Sequence, residues 1–151
     1  MNAETADPKP NSPKTAVLLI AHGSRNPAAN QDLFDLATRL AAAGDHPIIE
    51  ASFLELAEPD ILEGGRRCVE RGAGRVLMAP YFLSMGVHLV RDLADAREEL
   101  SRTYPNIVFE LGRPLGPDPL LDELVKNRVR ELAEVGSLRA DQLAQIPAKP
   151  L

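Results

Sequence analysis

Four short apolar segments constrain the fold of this chain more than any other feature of its sequence. They span residues 15–21, 47–54, 75–80 and 106–111. The first segment shows no alternation of apolar and polar residues, which is typical of a strand buried on both faces of a parallel sheet. We therefore predict four strands with helices between them.

A helical pattern follows each of the four segments. Asn26-Pro27 and Asp118-Pro119 are each typical of an N-cap and a first helical residue, and Gly44 is expected to end the first helix. The second helix is expected at about residues 60–71. The residues expected on the inner faces of the helices, at helical spacing, are Leu33, Leu36, Ala37, Leu40 and Ala41, then Ile61, Leu62, Gly65, Cys68 and Val69, then Leu89, Leu93, Ala96, Leu100 and Tyr104, and finally Leu120, Leu121, Leu124, Val125, Val129 and Leu132.

Strands that alternate with helices predict an α/β domain with a parallel sheet and right-handed crossovers. We expect a flavodoxin-like, three-layer α/β/α arrangement with four parallel strands in the order 2-1-3-4. A length of 151 residues fits a single domain, which we place at residues 15–136. Residues 1–14 are too polar and proline-rich to form a core and are predicted to be a disordered tail, and residues 137–151 a flexible one.

Charge, hydropathy and cysteine content together argue against several classes of partner and indicate a compartment. The formal net charge of -5 argues against a nucleic-acid binder, which usually carries a basic stripe. No apolar segment approaches the roughly 20 residues of a membrane helix, and the N-terminus lacks the apolar region of a secretory signal. Cys68 is the only cysteine, so no intrachain disulfide can form. We therefore expect a cytoplasmic protein with neither nucleic-acid nor membrane partners.

Two histidines follow neighbouring strands of the predicted sheet. His22 comes directly after the first strand, and His88 follows the third strand after a short loop. In a doubly wound sheet, ligands bind outside the carboxyl ends of the strands near the point where strand order reverses. His22 and His88 are therefore candidate metal ligands, because imidazole binds iron, cobalt, nickel and zinc. His46 falls at the opposite edge and is not expected to have a functional role.

Other polar residues are expected at the same edge of the sheet. Glu55 follows the second strand, where it is a third ligand, a proton acceptor or simply a solvated carboxylate. The segment "GSRNP" resembles an anion-binding turn at a helix N-terminus, with Ser24 and Arg25 as additional donors. Neither G-x-G-x-x-G nor a Walker A motif occurs, so a nucleotide site or another organic cofactor has little support.

Four motifs together resemble one known family. They are "LLIAHGSRNP", "FLELAEPDI", "VLMAPYFLSMGVHLVRDL" and "GRPLGPDPLLDELV", and their order and spacing are similar to those of the small class II chelatases of the CbiX type, over about residues 15–135. This resemblance implies a chelatase-like fold and a homodimer. It also implies insertion of a divalent metal, Co²⁺ foremost but also Fe²⁺ or Ni²⁺, into sirohydrochlorin for cobalamin or siroheme biosynthesis.

The resemblance also assigns roles to individual residues. The family's metal-site histidines match His22 and His88, and its acidic position matches Glu55; one of these three would accept the pyrrole protons. Candidate contacts for the substrate carboxylates are Ser24, Arg25, Ser84 and Arg91, with Arg113 as a further cation that could steer the substrate.

Two other functions are compatible with parts of this pattern. One is a metal or tetrapyrrole carrier of the same fold without insertion activity, which the sequence does not distinguish from an enzyme. The other is a histidine phosphatase, suggested by "AHG". It is disfavoured because Ala21 stands where an R-H-G phosphate pocket requires arginine.

Overall fold

A computed structural model describes residues 12–146 of the chain. Strands and helices alternate as the sequence predicts, and a short additional helix follows the last one. In chain order the elements are β1 (Lys14–Ala21), α1 (Pro27–Ala43), β2 (Ile48–Phe53), α2 (Ile61–Glu70), β3 (Ala73–Pro80), α3 (Val87–Thr103), β4 (Val108–Leu111), α4 (Pro119–Val135) and α5 (Ala140–Leu143).

The sheet is entirely parallel and has the strand order β2-β1-β3-β4, which confirms the predicted topology. Ala21 pairs with Phe53 at the end of β1, and Ile20 pairs with Pro80 of β3. The carboxyl ends of the strands therefore meet at one edge. The loops after β1, β2 and β3 leave the sheet side by side at this edge.

Helices pack on both faces of the sheet. On one face, α1 buries Leu33 and Ala37 against residues of β1 and β2 such as Leu19 and Ala51. On the other face, α2 and α3 cover a larger cluster that includes Leu18, Ile20, Val76, Met78, Leu93 and Leu100. Burial on both faces of β1 explains why this segment is apolar without alternation.

The polar residues flanking the helices act as predicted. The Asn26 side chain accepts a hydrogen bond from the Ala28 N–H at 3.1 Å, and the Asp118 side chain accepts from the Leu120 N–H at 2.9 Å. Asp60 caps α2 by accepting from the Glu63 N–H at 2.8 Å. Gly44 ends α1 in the left-handed conformation, with φ +86°. These caps fix where each helix begins or ends.

Helix α4 forms where its apolar periodicity predicts it, but it buries none of its residues in this chain. Leu120, Val125 and Val129 are each more than half exposed. The sheet face beside α1 is also incompletely covered over β3 and β4, since Val108 on that face is 54% exposed. Helix α4 extends away from the sheet and does not pack against this face. The apolar face of α4 and the sheet face over β3 and β4 are therefore both exposed in this chain.

The chain termini fall partly outside the described residues. Most of the tail predicted at 1–14 lies outside residues 12–146, and β1 begins at Lys14, one residue before the predicted domain boundary. Within the segment 137–146, α5 is a short helix that the sequence did not predict. The predicted flexibility of 147–151 also lies outside the described residues. Within the described part, no helix is long and apolar enough to span a bilayer.

Candidate active site

The carboxyl edge of the sheet brings His22 and Glu55 into contact. His22 is the first residue after β1, and Glu55 lies two residues after β2, the neighbouring strand. The imidazole Nε2 lies 2.9 Å from the carboxylate Oε1, and both side chains are more than half exposed. A nitrogen base and a carboxylate thus stand together at the edge where such folds bind their ligands.

Both ring nitrogens of His22 face oxygen acceptors. Nε2 faces Glu55, and Nδ1 lies 3.2 Å from the carbonyl oxygen of Gly23. A neutral imidazole carries one N–H and therefore satisfies only one of these acceptors. When the N–H is on Nε2 it donates to Glu55, and the lone pair of Nδ1 then faces the Gly23 carbonyl oxygen, so the ring must turn away from that oxygen before Nδ1 can bind a metal ion.

Backbone hydrogen bonds continue the pairing of β1 and β2 beyond the ends of the strands. The Leu54 N–H donates to the Ala21 carbonyl at 2.8 Å, and the Glu55 N–H donates to the His22 carbonyl at 3.0 Å. Gly23 has φ +95°, and a Cβ at this position would lie 1.9 Å from the Glu55 carbonyl oxygen. Only glycine permits this close approach, so the contact between the two loops requires a glycine at position 23.

The turn that carries Ser24 and Arg25 satisfies most of its own donors. The Ser24 N–H donates to Asn30 Oδ1 at 2.8 Å, and the Asn26 N–H donates to Ser24 Oγ at 3.0 Å. The Ala28 N–H is taken by the Asn26 cap. Within the described residues, the Arg25 N–H has no hydrogen-bond partner, so the donors left for an anion in this turn include this amide, the Ser24 hydroxyl and the exposed Arg25 guanidinium.

Three further candidate residues lie after β3, on the other side of β1 from β2, and Arg113 follows β4. Ser84 is in the β3–α3 loop, His88 is the second residue of α3, and Arg91 is one turn further along; all three are exposed. Within residues 12–146 none of these three side chains forms a hydrogen bond or ion pair. The described residues contain no group of three His, Cys, Asp or Glu side chains arranged to hold a metal ion. His22 and Glu55 therefore form the contacting pair, and His88 lies on an adjacent segment.

Exposed apolar side chains surround this edge of the sheet. Leu56 follows β2, Tyr81 and Leu83 follow β3, and Leu115 follows β4. A groove of about 540 Å³ also runs between Leu83, the Gly116–Pro117 segment and the apolar face of α4. The edge thus combines a histidine–carboxylate pair with a rim of exposed apolar side chains.

The other cysteine and histidine candidates lie apart from this edge. Cys68 is fully buried in the core, and burial, followed by the nearby Glu50 carboxylate, raises the pKa of its thiol to about 12. A thiol with so high a pKa is a poor metal ligand at neutral pH. His46 lies between α1 and β2, at the opposite edge of the sheet, as expected.

Two positions at the site were not identified from the sequence. Leu56, beside Glu55, has φ +65°, which is uncommon for a residue other than glycine. Asn30 reaches back from α1 to Ser24. Asn30 lies inside a helical pattern, where an asparagine gives no signal of a contact six residues back in the chain. Gly23 lies in the "HGS" motif, but its close approach to Glu55 is visible only in three dimensions.

The fold and the site define a doubly wound α/β protein with a histidine–carboxylate pair at the carboxyl edge of its sheet. The family model described as CbiX matches residues 16–132, and the chain belongs to this family of class II chelatases. This membership confirms the resemblance expressed by the four sequence motifs.

Individual relatives agree with this assignment. A sirohydrochlorin cobaltochelatase of Priestia megaterium is 35% identical over 117 residues, which are 78% of this chain and 38% of that protein. A sirohydrochlorin cobaltochelatase of Methanopyrus kandleri is 30% identical over 136 residues, covering 77% of this chain and 95% of the relative.

A solved structure gives the same result. The sirohydrochlorin chelatase SirB from Bacillus subtilis subspecies spizizenii, in complex with cobalt, superposes with a TM-score of 0.73 at 32% identity, covering 80% of this chain and 51% of SirB. The chain therefore spans about half the length of SirB and of several curated relatives, whereas it spans nearly all of the Methanopyrus protein.

Proposed function

We propose that this chain inserts a divalent metal ion, Co²⁺ foremost, into sirohydrochlorin. The observation that carries the proposal is the 2.9 Å pairing of His22 with Glu55 at the carboxyl edge of the sheet, beside an apolar rim, in a member of the CbiX family. Relatives of this chain are named for insertion of cobalt or iron into the same tetrapyrrole. We assign the reaction to cobalamin or siroheme biosynthesis in the cytoplasm. The single free cysteine fits this compartment, because thiols stay reduced there.

In this proposal the metal is a substrate that is held weakly and released into the macrocycle. His22 and His88 are its ligands, because imidazole nitrogen suits Co²⁺, Fe²⁺ and Ni²⁺ alike. Glu55 accepts the Nε2–H of His22 and thereby orients the ring, as carboxylates commonly do for metal-binding histidines. Two nitrogen ligands leave the metal under-coordinated compared with a closed structural site, and this allows its transfer.

Metal insertion also requires removal of two pyrrole N–H protons from the macrocycle. Glu55, His22 and His88 are the candidate general bases, since all are exposed at the edge where the macrocycle would lie. We assign binding of the peripheral carboxylates of the tetrapyrrole to Ser24, Arg25, Ser84 and Arg91, which follow β1 and β3 at this edge. The apolar rim of Leu56, Tyr81 and Leu83 would contact the face of the ring.

Substitution of the two histidines tests the metal-ligand assignment. We expect His22→Ala and His88→Ala to lose nearly all metal insertion, because each removes one of the two nitrogen ligands. Both residues are exposed at loop and helix ends, so the fold should be retained. The measurement is the change in the sirohydrochlorin absorption spectrum on metallation, corrected for the uncatalysed rate.

His46→Ala is the matched control, since it removes an imidazole at the opposite edge of the sheet and should leave insertion unchanged. Near-normal insertion by folded His22→Ala and His88→Ala proteins would contradict the assignment. A wild-type protein that binds Co²⁺ and sirohydrochlorin without turnover would instead be a carrier. Parallel anaerobic assays with Co²⁺, Fe²⁺ and Ni²⁺ would identify the preferred metal.

We also propose that the functional unit is a homodimer in which a second copy covers α4. The apolar face of α4, with Leu124, Val125 and Val129, has no partner among the described residues. The groove between this face and Leu83 opens at the same edge as His22. A second copy seated here would bury α4 and add a wall to the tetrapyrrole site. In relatives about twice as long as the matched region, a further part of the same chain is available for this role.

Light scattering at micromolar concentration tests the dimer. We expect the wild-type protein to run as a dimer and Val129→Glu to dissociate it, because the substitution places a charge in the apolar face. Asn127→Glu adds the same charge on the opposite side of α4 and should remain dimeric. A wild-type monomer with full activity would refute the proposal.

A further inference from the structure

The Asn30 side chain pairs with the backbone of Ser24 as a neighbouring strand would. Its Oδ1 accepts from the Ser24 N–H at 2.8 Å, and its Nδ2 donates to the Ser24 carbonyl at 2.7 Å. Both contacts are partly buried, and they join the first turns of α1 to the segment that leaves β1. One carboxamide therefore satisfies both backbone groups of a residue that has no strand partner.

Asn30 is not needed to cap α1. The helix already has a cap in Asn26, whose side chain accepts from the Ala28 N–H, and Pro27 is its first residue. Asparagine is also a poor residue for a helix interior, where alanine is more favourable by several tenths of a kcal/mol, roughly 0.7 at most. The contacts of Asn30 therefore serve the loop rather than the helix.

The segment that follows β1, residues 22–24, is hydrogen-bonded on two sides. On the side of β2, the Glu55 N–H donates to the His22 carbonyl at 3.0 Å. On the side of α1, Asn30 holds Ser24, which is two residues further along the chain. Gly23 lies between these anchors, close against the Glu55 carbonyl oxygen. A shift at Ser24 would be transmitted through this tight contact to the segment that carries Glu55.

We propose that Asn30 is a positioning residue that holds the His22–Glu55 pair in its binding geometry before the metal arrives. The proposal rests on the proposed function for its consequence, namely metal affinity, but the anchoring itself is independent of that function. Because both side chains of the pair are more than half exposed, its geometry depends largely on the backbone that carries it. Preorganisation of this kind lowers the cost of ordering ligands when an ion binds.

The test compares Asn30→Ala and Asn30→Asp with wild type in the full chain. Alanine removes both hydrogen bonds, while aspartate keeps the size of the side chain but places a carboxylate oxygen against the Ser24 carbonyl. Neither change weakens α1, because alanine favours helix and an acidic residue is favourable near a helix N-terminus. Gln31→Ala is the matched control, since it removes a carboxamide from the next position that bonds only to Asp35 on the helix surface.

Three measurements decide the question: amide hydrogen exchange at Ser24 and Glu55, the Kd for Co²⁺ alone, and the thermal midpoint. We expect Asn30→Ala to lose protection at both amides by roughly tenfold and to bind Co²⁺ roughly tenfold more weakly, the size expected for two lost hydrogen bonds. Asn30→Asp keeps an acceptor for the Ser24 N–H but loses the bond to the Ser24 carbonyl, so we expect the same changes with a smaller factor. The thermal midpoint of Asn30→Ala should fall by a few degrees, because the two part-buried hydrogen bonds also contribute to global stability. In the insertion assay the KM for Co²⁺ should rise, with kcat at saturating metal nearly unchanged.

Gln31→Ala should match wild type in every measurement. Unchanged protection of the Glu55 amide in Asn30→Ala, or an unchanged Kd for Co²⁺ despite lost protection, would overturn the proposal. If the wild-type protein bound no Co²⁺, the proposed function would fail, and exchange at Ser24 and Glu55 would still decide whether Asn30 anchors the loop.

Discussion

Replacement of Gly23 by alanine should separate the two loops that form the candidate site. The new Cβ would lie 1.9 Å from the Glu55 carbonyl oxygen, and contacts under 3.0 Å are essentially never seen for a real Cβ. The loop after β2 must therefore move away from His22. The hydrogen bonds at greatest risk are those from the Leu54 and Glu55 N–H groups to the Ala21 and His22 carbonyls.

Two effects lower the free energy of unfolding of Gly23→Ala. An alanine with φ near +95° carries about 1–2 kcal/mol of backbone strain. Loss of the two hydrogen bonds adds about 0.5–1.5 kcal/mol for each. We expect Gly23→Ala to lower the free energy of unfolding by about 2–5 kcal/mol, a large part of the roughly 5–15 kcal/mol that stabilises a typical domain. Urea denaturation followed by circular dichroism would measure this loss.

Gly72→Ala provides the control that isolates the steric part. Gly72 has φ +97°, nearly the same backbone conformation, but a Cβ there would meet nothing within 4 Å. Gly72→Ala should lower the free energy of unfolding only by the backbone strain, about 1–2 kcal/mol. Gly23→Ala should also lose Co²⁺ binding, whereas Gly72→Ala should retain it. Equal destabilisation of the two variants would refute the reasoning that close backbone approach makes residue 23 a glycine.

Two further predictions concern titratable groups outside the site. The pKa of Cys68 is raised to about 12, so a thiol reagent at pH 8 should label the protein only as it unfolds, and rapid stoichiometric labelling of the native protein would contradict this. Hydrogen bonds from Arg66 and then Arg67 lower the pKa of Glu63 from 4.5 to about 2, so its contribution to stability is present above pH 4.5 and is lost as the pH falls toward 2. Glu63→Gln should therefore be less sensitive to pH over this interval in an acid titration followed by circular dichroism, and an acid transition identical to that of wild type would disprove it.

Local sequence signals accounted for the order and approximate limits of the main secondary-structure elements. The Asn26-Pro27 and Asp118-Pro119 pairs marked the starts of α1 and α4, and Gly44 marked the end of α1. These signals act between residues that are close in the chain, so they can be interpreted without knowledge of the tertiary fold. The same signals failed for α5, which has only four residues and little apolar periodicity.

Topology extended the prediction to the edge of the sheet but not to atomic contacts. The alternation of strands and helices placed His22 and Glu55 after neighbouring strands, which the order β2-β1-β3-β4 confirms. Whether their side chains meet depends on the register of β1 and β2 and on the room that Gly23 leaves for the Glu55 carbonyl. Neither quantity is encoded in a local pattern.

The sequence by itself determined the α/β class, the helix caps and the strand ends that carry the candidate residues, because periodicity and capping are properties of neighbouring residues. Only the tertiary structure decided that Asn30 holds Ser24 and that the apolar face of α4 is left open. An amphipathic pattern states that a helix has an apolar face, but not which surface covers it. That choice depends on the path of the whole chain, and here the path takes α4 away from its own sheet.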